Sequence, residues 1–241
     1  MSLPDDNESL PLYVQVRERL LERIRSGTWK PGQLIPNEFE IAAEFGVSQG
    51  TARKAINELA SEGLVVRQQG RGTFVVEHTS AHELFRFFNL FDASGAAVIP
   101  DSRNTHRAGG LADETERHAL ALPTGARVVR ITRIRTHHGV PLITESIALP
   151  EALFPGLATA ADIPNTLYDW FQKTHGVLVM RTDDRLSAVA ADAETAAELG
   201  IAPGTPLLRI DRIAFGLDDM PIEVRVSLCH VAGMHYLARN G

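Results

Sequence analysis

The 241 residues are 44% hydrophobic and carry a formal net charge of -6, which is too apolar for a disordered chain and long enough for one large core or two smaller ones. No run approaches the roughly 18 consecutive apolar residues of a membrane span, and the acidic start MSLPDDNESLP has the wrong sign for a signal peptide, so the expectation is a cytoplasmic protein with no membrane partner. The single cysteine, Cys229, excludes an intramolecular disulfide framework and a cysteine-based zinc site, and the negative total excludes nucleic-acid binding over the entire surface.

The stretch PLYVQVRERLLERIRSG sets Leu12, Val16, Leu20 and Ile24 four residues apart, with Val14 and Leu21 beside them, which predicts an amphipathic helix ending at Gly27. After a turn at Pro31-Gly32, NEFEIAAEFGVS predicts a short helix capped by Asn37 and closed by Gly46. Ser48 caps a third helix, whose buried stripe is Ala52, Ala55, Ile56 and Leu59. Gln49, Gly50, Arg53, Lys54 and Asn57 then point outward. Gly63 stops that helix, and LVVRQQGRGTFVV alternates around Gly70 and Gly72 as a two-stranded hairpin with a basic tip.

Helix, helix, tight turn, helix, hairpin is the order of a winged helix-turn-helix module, placed at residues 1–76. Such a module presents its third helix to a major groove about 12 Å wide. Between Val47 and Val76, Arg53, Lys54, Arg67 and Arg71 outnumber Glu58 and Glu62, a local basic surface on an acidic chain. A winged helix used only for protein contacts has the same element order; the outward cations favour DNA.

Residues 77–83 are polar and aperiodic and are assigned as a linker, and residues 84–241 form a second domain. AHELFRFFNLF reads as a helix or strand that joins the linker to a sheet. Beyond it lies an internal repeat at an offset near 79 residues: ALPTGARVVRITRI from Ala121 against IAPGTPLLRIDRIA from Ile201, with Arg133 over Arg212. DETERHALAL resembles DAETAAELGI upstream, and Pro141-Leu142 resembles Pro221-Ile222 downstream after a one-residue slip. Each copy reads as a short helix, a turn and a hairpin, so the duplication predicts an antiparallel sheet and the whole chain an α+β fold. Between the copies, PNTLYDWFQKTHG reads as a helix burying Leu167, Trp170 and Phe171, followed by a strand from Val177 to Ala188.

In the strand Val128 to Thr136 the odd positions Val129, Ile131, Arg133 and Arg135 share one face, and in the returning strand Ile143, Glu145, Ile147 and Leu149 do. Two arginines continuing an apolar face point to an anion held inside a sheet cavity, because a guanidinium donates two parallel hydrogen bonds to carboxylate or phosphate. A plain Arg133–Glu145 pair stapling the hairpin fits the same alternation. No nucleophile elbow, phosphate loop or paired metal-ligand spacing is present, so neither an enzyme nor a cofactor is expected. His137-His138 reads as a hairpin tip, and Asp183-Asp184 as a strand-end pair with no third ligand.

The first third resembles the DNA-binding domain of the GntR family of bacterial transcription regulators, through PLYVQVRERLLERIRSG, WKPGQLIPNEFEIAAEFGVS and TARKAINELASEGLVVRQQGRGTFV. The remainder, through PLITESIALP and PIEVRVSL, resembles the effector-binding (UTRA) domain of the histidine-utilisation-repressor subfamily, whose fold is similar to chorismate lyase. The resemblance implies a homodimeric repressor or activator on a palindromic operator, with a carboxylate- or phosphate-bearing effector in each C-terminal domain. It assigns DNA contacts to Gln49, Thr51 and Arg53 on the recognition helix and to Arg67, Gln69, Gly70 and Arg71 on the wing, with Glu38, Ser48, Gly50 and Lys54 completing the surface. Gln49 stands where the family commonly has arginine, which implies adenine rather than guanine at that base. Effector contacts by position are Arg133, Arg135, Glu145, Thr166, Glu223, Ser227 and Tyr236. The ending VAGMHYL lacks the aspartate of the family's basic-Gly-Asp-basic-Tyr pattern. The alternative is a chorismate-lyase-like enzyme with an autoregulatory DNA-binding domain.

Overall fold

The computed structural model describes residues 10–77, 89–160 and 162–238. It falls into two compact units, Met1–His78 and Thr79–Gly241.

In the first unit, α1 (Leu12–Arg25), α2 (Glu38–Phe45) and α3 (Gln49–Ser61) precede the hairpin β1 (Val65–Gln68) and β2 (Gly72–Val75). Val16, Leu20 and Leu21 of α1, Ile41 of α2 and the predicted stripe of α3 are buried. Leu12 departs from the expected stripe, since it sits at the first position of α1 and is 52% exposed. Asn37 accepts the N–H groups of Phe39 and Glu40 while Glu40 accepts that of Asn37, so two otherwise orphaned donors at each side of the α2 start are satisfied. The Ser48 hydroxyl accepts from the Thr51 N–H and starts α3. The hairpin pairs Val65 with Val75 through Gln68 with Gly72, leaving Gln69, Gly70 and Arg71 at its tip. Gly72 has φ +110°, and a Cβ there would lie 2.6 Å from Leu34 Cδ1, so this glycine is required both by conformation and by space.

The second unit contains β3 (Leu90–Asp92), β4 (Asp101–Leu111), α4 (Glu114–Ala119), β5 (Arg127–His137), β6 (Val140–Pro150), α5 (Leu167–Trp170), β7 (Arg181–Ala190), α6 (Ala193–Leu199), β8 (Pro206–Phe215), β9 (Pro221–Cys229) and β10 (Met234–Tyr236). Six strands form one antiparallel sheet in the order β4-β5-β6-β9-β8-β7, and β3 pairs with β10 separately. The duplication is visible as strand–helix–hairpin twice over: β4-α4-β5-β6 and β7-α6-β8-β9, joined where β6 meets β9. α4 approaches β9 and α6 lies against β6, so each copy's helix covers a strand of the other. Asp113 and Asp192 cap these two equivalent helices.

Two expectations are corrected. The helix near 164–176 is only Leu167–Trp170, passing into a π-helical turn at Phe171–His175. Its buried members are Leu167, Tyr168 and Phe171, with Trp170 half-buried. The strand after it is Arg181–Ala190 rather than 177–188, because Val177 donates back to the Phe171 carbonyl and Val179 is drawn into the core beside Phe154 and Phe171. Of AHELFRFFNLF only residues 89–91 fall within the described residues, and of the linker only Glu77.

Candidate functional sites

On the first unit the exposed ends of α3 and the hairpin carry the predicted DNA-contacting residues. Gln49 is half-buried in the first turn of α3, Gly50 and Arg53 are exposed beside it, and Gln69, Gly70 and Arg71 project at the hairpin tip. The Ser48 and Thr51 hydroxyls hydrogen-bond each other at 2.8 Å. Two of the four cations are held within the unit. Arg67 donates to Glu38 at 3.1 Å, and the Lys54 ammonium lies 3.6 Å from the centre of the Tyr13 ring on α1, a favourable cation–π position. Lys54 therefore leans on the flank of α3 toward α1 instead of standing free beside Arg53. Among the described residues, Arg53 and Arg71 form no ion pair with a carboxylate, and Arg71 rests 5.8 Å from the Phe74 ring centre.

On the second unit, strand register sorts the inner face of the sheet into rows. One row runs Arg135, Ile143, Cys229; the next runs Arg133, Glu145, Ser227, Ile210; the third runs Ile131, Ile147, Arg225, Arg212, Asp184. The odd positions of β5, β6 and β9 point inward because side chains alternate along a strand, and these positions are buried. Arg133 donates to Glu145 at 2.5 Å and to the Asn165 carbonyl at 3.2 Å. Arg135 donates to the Pro100 carbonyl at 3.1 Å and lies 3.6 Å from Glu145. Both alternatives left open by the alternation thus meet here: the Arg133–Glu145 staple exists, and it belongs to a larger buried charge cluster.

That cluster extends well beyond the predicted residues. Arg225 grips Glu223 through two hydrogen bonds of 2.9 Å and lies 3.7 Å from Glu145. Arg212 grips Asp184 at 2.7 and 2.6 Å. The Tyr168 hydroxyl donates to Glu223 at 2.9 Å, and the Tyr236 hydroxyl donates to Asp184 at 3.1 Å while accepting from Asn89. Asp184 and Asp183 face opposite sides of β7, Asp183 pairing with Arg181 at 2.6 Å, so the adjacent aspartates act separately. Thr166 immediately precedes α5 and is half-buried.

Electrostatics follow the geometry. Burial alone would raise the Glu145 carboxyl, but the charges of Arg133, Arg135 and Arg225 outweigh it and hold the group well below the usual carboxylate range. Burial and the Glu223 charge push the Tyr168 hydroxyl upward, keeping it a proton donor. Burial raises the Cys229 thiol to about 12, so it stays protonated and unreactive.

A cavity of about 370 Å³ opens on this face, bounded by Glu145, Arg212, Arg225, Ser227, Cys229 and Tyr236. Of the seven predicted effector contacts, Glu145, Ser227 and Tyr236 line it. Arg133, Arg135, Thr166 and Glu223 do not; the first two are turned toward Asn165 and Pro100, and Glu223 supports Arg225 from behind. Arg212 and Arg225 were missed, although both had a signal. Arg212 is the repeat mate of Arg133, and Arg225 stands between Glu223 and Ser227 with the same parity. Among the described residues, no three His, Cys, Asp or Glu side chains are placed to hold a metal ion, and no helix is long and apolar enough to cross a membrane.

Comparison with known proteins assigns the two units separately. The model of the gntR family of bacterial regulatory proteins matches residues 12–75, and that of the UTRA domain matches residues 99–232. The HTH-type transcriptional repressor NagR of Bacillus subtilis is 32% identical over 209 residues, covering 86% of this chain and 85% of its own. The histidine utilization repressor of Klebsiella aerogenes is 32% identical over 210 residues, covering 84% and 83%. The crystal structure of PhnF from Mycobacterium smegmatis superposes with a TM-score of 0.57 at 30% identity, covering 94% of this chain and 99% of that one.

Proposed function

The chain belongs to the GntR family of bacterial regulators and carries a UTRA domain, and from that premise we propose that it acts as a homodimer whose paired winged helices grip a palindromic operator until an anionic metabolite binds the C-terminal sheet. It is a transcriptional repressor controlled by an effector, not an enzyme. The reading of the effector as an anion rests on one observation: on the inner face, four guanidiniums (Arg133, Arg135, Arg212, Arg225) meet three carboxylates (Glu145, Glu223, Asp184), an excess of one positive charge among the described residues. Buried ion pairs rarely stabilise a fold more than well-packed apolar residues of equal volume would. Placing so many inside a sheet is consistent with a charged ligand rather than with structure alone.

Two-fold symmetry of the protein matches two-fold symmetry of the operator, with half-sites about one helical turn apart. Arg53 and Gln49 read base edges from α3, and Arg71 at the wing contacts phosphate. An effector that prefers one arrangement of the paired DNA-binding units shifts the population away from the operator-bound form, by no more than its difference in affinity for the two. The cytoplasm is where such a regulator meets its DNA.

Mobility shift on DNA upstream of the protein's own gene tests the reading. Wild-type protein binds, and Arg53→Ala loses about 1–3 kcal/mol if the guanidinium reads a base through two hydrogen bonds. No shift at any low salt concentration overturns it.

A further inference from the structure

The two arginines that line the cavity stand side by side. Arg212 of β8 and Arg225 of β9 are direct cross-strand partners on the inner face, and both are buried. Like charges directly opposite one another destabilise a sheet. In the first copy of the repeat the corresponding pair is complementary, Arg133 opposite Glu145. Arg225 thus occupies the place that a glutamate holds in the other copy. Asp184 and Glu223 brace the two guanidiniums from their flanks, each through two hydrogen bonds, and this bracing aims a doubled positive charge at the 370 Å³ cavity. Arg133 and Arg135 are turned to the Asn165 and Pro100 carbonyls on the other side of Glu145 and do not reach that space.

We propose that Arg212 and Arg225 together hold the carboxylate of a small organic monoacid, with its uncharged body lying against Leu90, Ile143 and Cys229 and its polar edge against Ser227 and Tyr236. The proposal rests on the effector reading above and moves the anion from Arg133 and Arg135 to the second copy of the repeat. Two features select the ligand class. The surplus on the face is a single positive charge, which a carboxylate neutralises, whereas a phosphate monoester brings about -1.5 to -2 at neutral pH. The apolar wall leaves room for hydrocarbon rather than for a polyol. Planar guanidinium forks also match a carboxylate edge to edge.

The test uses the full chain and two monoacid probes, benzoate and butyrate, beside their amides and inorganic phosphate at matched ionic strength, read by thermal shift and titration calorimetry. An acid that binds the native state raises the melting temperature by mass action; its amide should bind at least about tenfold more weakly, the loss expected when charge-assisted hydrogen bonds go. Arg225→Met should weaken acid binding at least about tenfold by the same reasoning. Should that variant fail to fold, Arg225→Lys keeps the charge and loses the fork, and should still weaken binding several-fold. Undiminished acid binding in a folded Arg225 variant overturns the proposal, as does a preference for phosphate over both acids. If neither acid binds while wild-type protein still shifts its operator, this site assignment fails and the regulator reading stands; loss of the operator shift as well indicts the parent reading.

Discussion

Replacing Glu145 by glutamine, which preserves shape and removes the charge, should destabilise the sheet domain severely. Three guanidiniums surround this carboxylate, Arg133 at 2.5 Å, Arg135 at 3.6 Å and Arg225 at 3.7 Å, and the four side chains are at most 8% exposed. The variant leaves four buried cations against two carboxylates, doubling the surplus charge. Removing one partner of a buried pair costs about 3–5 kcal/mol because the other charge stays desolvated. At roughly 2–4 °C per kcal/mol for a chain of this size, the transition should fall by about 6–20 °C in scanning calorimetry. Acid provides a second readout. Glu145 titrates below its ordinary 4.5 in the folded state, so between that value and its depressed one the unfolded chain binds a proton that the folded chain does not. Wild-type stability should therefore be full above about pH 4.5 and decline as pH falls below it, and Glu145→Gln should lose that part of the slope. A melting temperature within 2 °C of wild type, flagged here as roughly half a kcal/mol, would refute the view that Glu145 compensates the cluster.

Three further outcomes follow from other parts of the molecule. Asn37→Ala removes half of the capping box at α2 and should cost the DNA-binding unit about 0.5–2 kcal/mol in urea unfolding; no change would mean that water replaces the cap. Gly72→Ala combines a positive φ with a close approach to Leu34 and should cost more than about 1 kcal/mol, while weakening operator binding through the hairpin it distorts. Cys229 should resist a thiol reagent at pH 8 in folded protein, given its burial and a pKa near 12, and react at once in guanidinium; rapid native labelling would show that the cavity floor opens.

Much of the fold was legible because it is written in local chemistry. Asn37, Gly46 and Ser48 mark helix ends wherever they occur, and the stripe Ala52, Ala55, Ile56, Leu59 follows from helical periodicity alone. The sheet was legible for a different reason: the repeat offset placed Arg133 over Arg212 before any coordinates did, and both lie inward on equivalent strands. What escaped depends on pairing across distant segments. Asp184 looked idle as a member of a two-aspartate run, since only its register opposite Arg212 gives it a partner. The division of the arginines, with Arg133 and Arg135 facing Asn165 and Arg225 facing the cavity, depends on which strand neighbours which. Likewise Arg67 and Lys54 read as outward cations because nothing in sequence joins them to Glu38 or Tyr13, 29 residues away in the first case.

The crossing of the duplicated halves bears on how a ligand could act. Glu145 belongs to the first copy and Ser227 to the second, yet they are neighbours across β6 and β9, and both border the cavity. Each copy's helix also lies on a strand of the other. A molecule bound there is clasped by both halves at once, much as a ligand at a subunit boundary is clasped by two proteins. Its binding energy therefore tightens the seam on which the whole sheet depends, and the strands that flank the seam are the ones that must respond.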